Sequence, residues 1–160
     1  GYPFALAFRA YAEGFAVAKD DALTVTIPDF TSRLFAVGGE PRRSPLAVTG
    51  KNEVVDTYEI VFPDGYAEVE CLPEALTLRN PHDEADVWLR QTVASKVVDG
   101  RLHVTVRRRV GRAKAERFDV AYAPFFHEWN RRAAALNART VTARKGTVVQ
   151  AGKTCGGVDE

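Results

Sequence analysis

The chain has 160 residues, 46% hydrophobic and 27% charged, with 22 basic side chains against 21 acidic ones. That length carries one domain with a real core, and the mixed composition excludes a disordered or fibrous polypeptide. The near-neutral balance argues against a dedicated nucleic-acid or anionic-membrane binder, which normally shows a large basic excess. No apolar run approaches the roughly 18 residues a membrane-spanning helix needs.

The chain starts at Gly1 and contains no methionine. We therefore expect an excised or processed segment of a longer protein, with any targeting signal upstream. From the start, apolar and polar residues alternate with the period of strands that bury one face. Phe4, Leu6 and Phe8 alternate with Ala5, Ala7 and Arg9, and Leu23, Val25 and Ile27 alternate with threonines until Pro28. The stretch from Gly38 to Lys51 has two prolines and few core candidates, and reads as an extended loop or edge segment. Tyr58, Ile60 and Phe62 then alternate with Thr57, Glu59 and Val61, and Pro63-Asp64-Gly65 predicts a turn.

The next strand, Tyr66 to Leu72, sets Ala67, Val69 and Cys71 on one side and Glu68 and Glu70 on the other. On that apolar side Cys71 is expected as a buried, inert thiol. Cys155, in a glycine-rich tail, is expected as an incidental one, with a single Cys71–Cys155 bridge as the alternative. Val87 to Val93 and Leu102 to Val110 form a hairpin about Asp99-Gly100. Leu102, Val104 and Val106 share one face of it, while His103, Thr105 and Arg107 share the other.

One segment breaks the pattern. Between Asp119 and Asn137, Tyr122, Phe125, Phe126, Trp129, Ala133 and Leu136 recur at helical spacing and make a stripe that docks on a sheet. Asp119 or Ala123 is the expected N-cap, Pro124 fits the first turn, and Glu128 and Arg132 stand four apart as an ion pair. Thr140 to Gln150 supplies a last strand, and Ala151 to Glu160 reads as a tail. The expected fold class is mainly β: an antiparallel sandwich with one C-terminal amphipathic helix packed on it. Its layout is a single β-rich domain over 1–145 (strands about 4–110, helix about 120–137) and a polar strand or tail over 146–160.

The sequence offers little chemistry. His82, His103 and His127 converge with the cysteines on no catalytic or metal-ligand spacing, Cys155 stands far in sequence from any of them, and no zinc-ligand spacing, phosphate loop or nucleophile elbow occurs. Asp83, Glu84 and Asp86 lack the calcium-loop pattern and read as a solvated turn. Arg107, Arg108, Arg109, Arg112 and Lys114 are the densest basic run. Strand alternation divides the three consecutive arginines between two faces, and the run reads as a polar outer face that discourages edge pairing. No catalytic, cofactor-binding or metal-binding residue is assigned.

From Arg42 onward the order of features resembles a known family. Arg42-Arg43-Ser44-Pro45-Leu46 precedes Phe62-Pro63-Asp64-Gly65-Tyr66. Leu72-Pro73, Leu78-Arg79-Asn80-Pro81, a hairpin and a helix with Tyr122, Phe125, Phe126 and Trp129 follow. This is similar to the C-terminal β-sandwich domain of unknown function found after the transglutaminase-like core of bacterial multidomain proteins. The likeness covers about Arg42 to Arg144, and departs at His82-Asp83-Glu84, where the family tends to carry Phe-Gly. It implies a non-catalytic accessory domain, structural or interacting, in a periplasmic, extracellular or membrane-associated protein. Its implied partner is the upstream papain-like core, which would hold the catalytic residues. The other reading is an extracellular carbohydrate- or protein-binding sandwich that uses Trp88, Tyr58 and Tyr66 as exposed aromatics.

Overall fold

Along most of the chain the alternating pattern becomes strand pairing. The computed structural model describes residues 15–28, 35–37, 43–50, 52–136, 139–146 and 153–154. The alternation at Phe4, Leu6 and Phe8 lies outside them. In chain order the strands are β1 (Ala16–Lys19), β2 (Ala22–Thr26), β3 (Leu46–Val48), β4 (Asn52–Val61), β5 (Glu68–Leu72) and β6 (Leu76–Asn80). They continue with β7 (Asp83–Val98), β8 (Arg101–Arg112), β9 (Glu116–Phe118), β10 (Thr140–Arg144) and β11 (Lys153–Thr154), and the helix α1 (Ala123–Ala134) lies between β9 and β10.

The long hairpin β7–β8 organises the molecule. Its two loop residues both take positive φ, 50° at Asp99 and 75° at Gly100, as a type I′ turn requires. The ladder then runs in unbroken register from Val98 opposite Arg101 to Leu89 opposite Val110. With β4 on one flank and β6 on the other it forms a four-stranded sheet in the order β4-β8-β7-β6, antiparallel throughout. A second sheet runs β1-β2-β10-β5-β11, antiparallel except where β11 pairs parallel to β5. β3 and β9 form a two-stranded ribbon. The Pro63–Tyr66 turn closes as expected, with Tyr66 N–H donating to Pro63 O at 3.2 Å and Gly65 at φ 87° in the third position.

Two apolar clusters lie on the inner face of the four-stranded sheet. One joins Tyr58, Ile60, Phe62, Leu102, Val104 and Val106 to Val25, Val69, Val141 and Ala143 of the five-stranded sheet, so those two sheets share a core. The other joins Leu78, Trp88, Leu89 and Val110 to Leu46, Val48 and Phe118 of the ribbon and to Phe126, Trp129 and Ala133 of α1. The helical stripe therefore docks on the sheet, as its spacing predicts. Phe35 sits among those rings, with centroids 4.8 Å from both Phe126 and Trp129. Asn130 holds it there: its side-chain amide donates to Phe35 O at 2.7 Å and accepts from Phe35 N–H at 2.9 Å.

Several local expectations change. The 38–51 segment, expected to hold few core residues, contributes strand β3, whose Leu46 and Val48 are buried in the helix-side core. Glu128 pairs with Arg131 rather than Arg132, through two contacts of 2.6 and 2.7 Å. Asp119 caps a 3-10 turn over Val120–Tyr122 that leads into α1, with Pro124 in the first helical turn. The strand expected after the helix is β10, and it lies between β2 and β5. On β5 a bulge changes the alternation. Ala143 lies opposite Val69 but Thr142 lies opposite Cys71, with Glu70 the extra residue. Cross-strand partners share a face, so Val69 faces the core while Cys71 joins Thr142 and Thr24 on the outer face.

Candidate functional site

The residues most capable of chemistry are already committed to structure. Cys71 is half-buried and disulfide-bonded, which corrects the expectation of a buried free thiol. The chain's only other cysteine, Cys155, lies outside the described residues but follows directly on Thr154. Strand β11 aligns Lys153 with Cys71 and Thr154 with Leu72. The bulge at Glu70 makes this possible, because it takes Cys71 out of the apolar face on which simple alternation places it.

The histidines are dispersed. His103 lies on the outer face of the four-stranded sheet, opposite Val61 on one side and Lys96 on the other. His127 is on α1. His82 stacks on Phe118 with centroids 4.5 Å apart and meets the edge of Tyr122. Among the described residues no group of three His, Cys, Asp or Glu side chains is arranged to hold a metal.

The Asp83, Glu84 and Asp86 turn is solvated only in its first two members. Asp86 is half-buried and accepts from the Trp88 indole N–H at 2.8 Å and from the Asn80 amide at 3.2 Å. Asn80, 1% exposed, also donates to Glu116 at 2.6 Å, and its Oδ1 accepts from His82 N–H at 2.9 Å. One side-chain amide thus ties the β6–β7 turn to β9. Lys114 adds an ion pair to Glu116 at 3.2 Å.

The arginine run divides as alternation predicts, with a different consequence. β8 is an interior strand, so edge protection does not apply. On the outer face Arg109 pairs with Glu53 through contacts of 3.1 and 3.3 Å, and that pairing holds the Glu53 carboxyl below its ordinary pKa. Arg108 points inward and is fully buried between the two cores. Its Nη1 donates to Pro28 O at 2.7 Å and its Nη2 to Leu136 O at 2.8 Å, reaching the ends of β2 and α1. Sequence reasoning treated it as surface; the signal it missed is an arginine in phase with Leu102, Val104 and Val106.

A concavity lies between β6 and α1. It measures about 300 Å³ and is lined by Thr77, Leu78 and Arg79 from the strand and by Phe125, Trp129 and Arg132 from the helix. The helical residues stand at i, i+4 and i+7, so they form one stripe along its wall. Trp129 is buried, and its indole N–H has no hydrogen-bond partner among the described residues. The aromatics proposed for carbohydrate are elsewhere: Trp88 is buried, and Tyr58 and Tyr66 pack against the inter-sheet core. No helix among the described residues is long and apolar enough to cross a membrane. Compared with protein-family models, curated proteins and solved structures, the chain has no match.

Proposed function

We propose that this chain is a non-catalytic accessory β-sandwich of a transglutaminase-like bacterial protein, packing beside or positioning a papain-like core that lies upstream. The observation that carries the reading is the state of Cys71. A papain-type reaction needs a free thiolate beside a base, and the one cysteine among the described residues is held in a disulfide. The ordered motifs from Arg42 to Arg144 supply the link to a transglutaminase-like parent. The polar network also supports a structural role, since Asn80, Asp86, Gln91 and Arg108 hold strands and helix to one another.

The same disulfide supports a periplasmic or extracellular location, because such bonds persist in oxidising compartments and are rare in reducing ones. Two measurements test the proposal. Assayed for thiol-dependent amide hydrolysis and acyl transfer, the chain shows none; turnover abolished by Cys71→Ala overturns it. The reading frame upstream of Gly1 encodes a papain-like segment with its own cysteine; an unrelated frame there removes the proposed parent.

A further inference from the structure

We propose that the Cys71 disulfide is a redox-operated clip: a small dithiol reduces it in the folded protein and releases the C-terminal strand β11 from β5, while the apolar cores keep their packing. The bulge at Glu70 sets the condition for this. It leaves Val69 in the inter-sheet core and turns Cys71 onto the outer face, opposite Thr142. There Cys71 is only half-buried and lines an open concavity of about 540 Å³, which also takes in Thr24 and Thr142. The lining carries both signs of charge, Lys19 and Arg144 against Asp20, Asp21 and Glu70. Arg144 already pairs with Asp21 at 3.2 Å and with Glu70 at 2.9 Å. The concavity therefore favours neither a cationic nor an anionic reductant, and an uncharged dithiol suits it.

What the bond holds is lightly attached. β11 meets β5 in parallel register, Lys153 beside Cys71 and Thr154 beside Leu72, a pairing less stable per residue than the antiparallel one. Its residues are a lysine and a threonine, so backbone pairing and the bond made by the next residue, Cys155, are what attach it. β5 has other support. β10 pairs along it through Thr142, Ala143 and Arg144, and Val69 and Leu72 pack in the inter-sheet core. The Gly146 N–H donates to Gly65 O at 3.0 Å, which fastens the chain ahead of the tail. Breaking the disulfide removes a tether at the margin of the sheet and leaves these contacts in place.

In the exchange, a thiolate of the dithiol attacks one sulfur of the bond and expels the other, which takes up a proton. The reductant's second thiol then closes on the mixed disulfide. Two electrons pass to the protein, which ends with two thiols, and the dithiol ends as a cyclic disulfide. In an oxidising compartment the clip stays shut until such a dithiol reaches it. The inference is independent of the parent protein proposed above.

The test treats the full chain with dithiothreitol in native buffer and reads alkylation by intact mass, tryptic cleavage after Lys153, and amide exchange. Both cysteines become open to alkylation, and exchange at Leu102, Val104 and Val106 of β8 stays slow. Cleavage after Lys153 speeds up about tenfold or more, as local opening without global unfolding requires. Cys155→Ser shows the same fast cleavage and slow β8 exchange with no reductant present. Thiols that react only in denaturant, cleavage after Lys153 unchanged by reduction, or loss of β8 protection on reduction overturns the inference. Because the reductant acts on the unaltered chain, the outcome does not depend on how the variant folds.

Discussion

Gln91 and Arg108 face each other across the β7–β8 ladder, each 1% exposed, with the Arg108 Nε–H donating to Gln91 Oε1 at 2.5 Å. The pair lies between the two apolar clusters and links them. Gln91 passes the connection to the β5–β6 loop by donating to Glu74 O at 2.6 Å, and Arg108 carries it to Pro28 O and Leu136 O. A guanidinium suits this position because its donors are held in a planar fork that reaches several acceptors at once.

Truncating Arg108 leaves buried acceptors without donors, at about 1–3 kcal/mol for each group that water cannot reach. Arg108→Ala is expected to lower unfolding free energy by about 3 kcal/mol or more. Arg108→Lys is expected to restore little, because one ammonium lacks the fork geometry. Replacing both partners, as Arg108→Met with Gln91→Leu, spares Gln91 Oε1 but strands Glu74 O in its place, so it should cost about as much as Arg108→Ala and less than the sum of its two single changes. Urea titration of these proteins together with the single variants Arg108→Met and Gln91→Leu checks this; additive losses in the double variant would show that the two side chains do not act together.

Trp129 anchors the helix. It is 3% exposed and lies edge-on to Phe35 at 4.8 Å, so Trp129→Ala both removes transfer energy and opens a cavity. The expected loss is about 3–5 kcal/mol. Phe125, only partly buried at the margin of the same cluster, should cost distinctly less as Phe125→Ala. An unchanged urea midpoint for Trp129→Ala would mean that the helix does not pack.

The disulfide gives a separate handle. A cross-link between Cys71 and Cys155 closes a loop of more than half the chain, and loop-closure entropy puts such a bond at about 4 kcal/mol. Reduction, or Cys71→Ser combined with Cys155→Ser, should lower the urea midpoint accordingly. The oxidised chain should resist alkylation until reductant is added. Immediate labelling of two thiols in the unreduced protein would contradict the bond.

How far the sequence could be read depended on how local the cause was. The β7–β8 hairpin was legible because its turn residues and its alternation are neighbours in the chain, and the helix because its stripe repeats within a few turns. β10 was legible as a strand but not as a central one: its partners β2 and β5 are remote in sequence, and Thr140, Thr142 and Arg144 look like a solvated edge. The exposure of Cys71 was hidden because a bulge depends on how two strands pair. Asn80, Asn130 and Gln91 were invisible as structural residues, since burial of a polar side chain is decided by distant carbonyls and carboxylates rather than by sequence pattern.

Acid should weaken the fold through exposed ion pairs. The hydrogen bonds from Arg109, Arg101 and Arg131 lower the pKa values of Glu53, Asp64 and Glu128 respectively. Each carboxylate is therefore more acidic folded than unfolded. Its contribution is complete above the ordinary carboxylate range of about 4 and is lost as pH falls through the folded value. The pairs are exposed, so the effect is small and screened by salt. The urea midpoint should fall between about pH 5 and 3, less steeply in about 1 M salt, and Glu53→Gln should flatten it further. A profile indifferent to salt and to Glu53→Gln would assign the acid response to other groups.

Asn80 offers the opposite pH signature. Its amide donates to Asp86 and Glu116, which lie 3.2 and 2.6 Å from Nδ2. Asn80→Asp keeps the shape but replaces that donor with a third negative charge, so repulsion joins the loss of two hydrogen bonds. A carboxyl introduced between two carboxylates is held protonated more readily in the folded state than in the unfolded chain. The variant's stability relative to the parent should be lowest at neutral pH and recover as pH falls toward about 5. The Asn80→Ala variant, which removes the two hydrogen bonds without adding charge, is the control for their loss alone. Urea midpoints of the three proteins across that range decide the matter. Parallel profiles for Asn80→Asp and the parent chain would mean that the three side chains do not meet as a single electrostatic site.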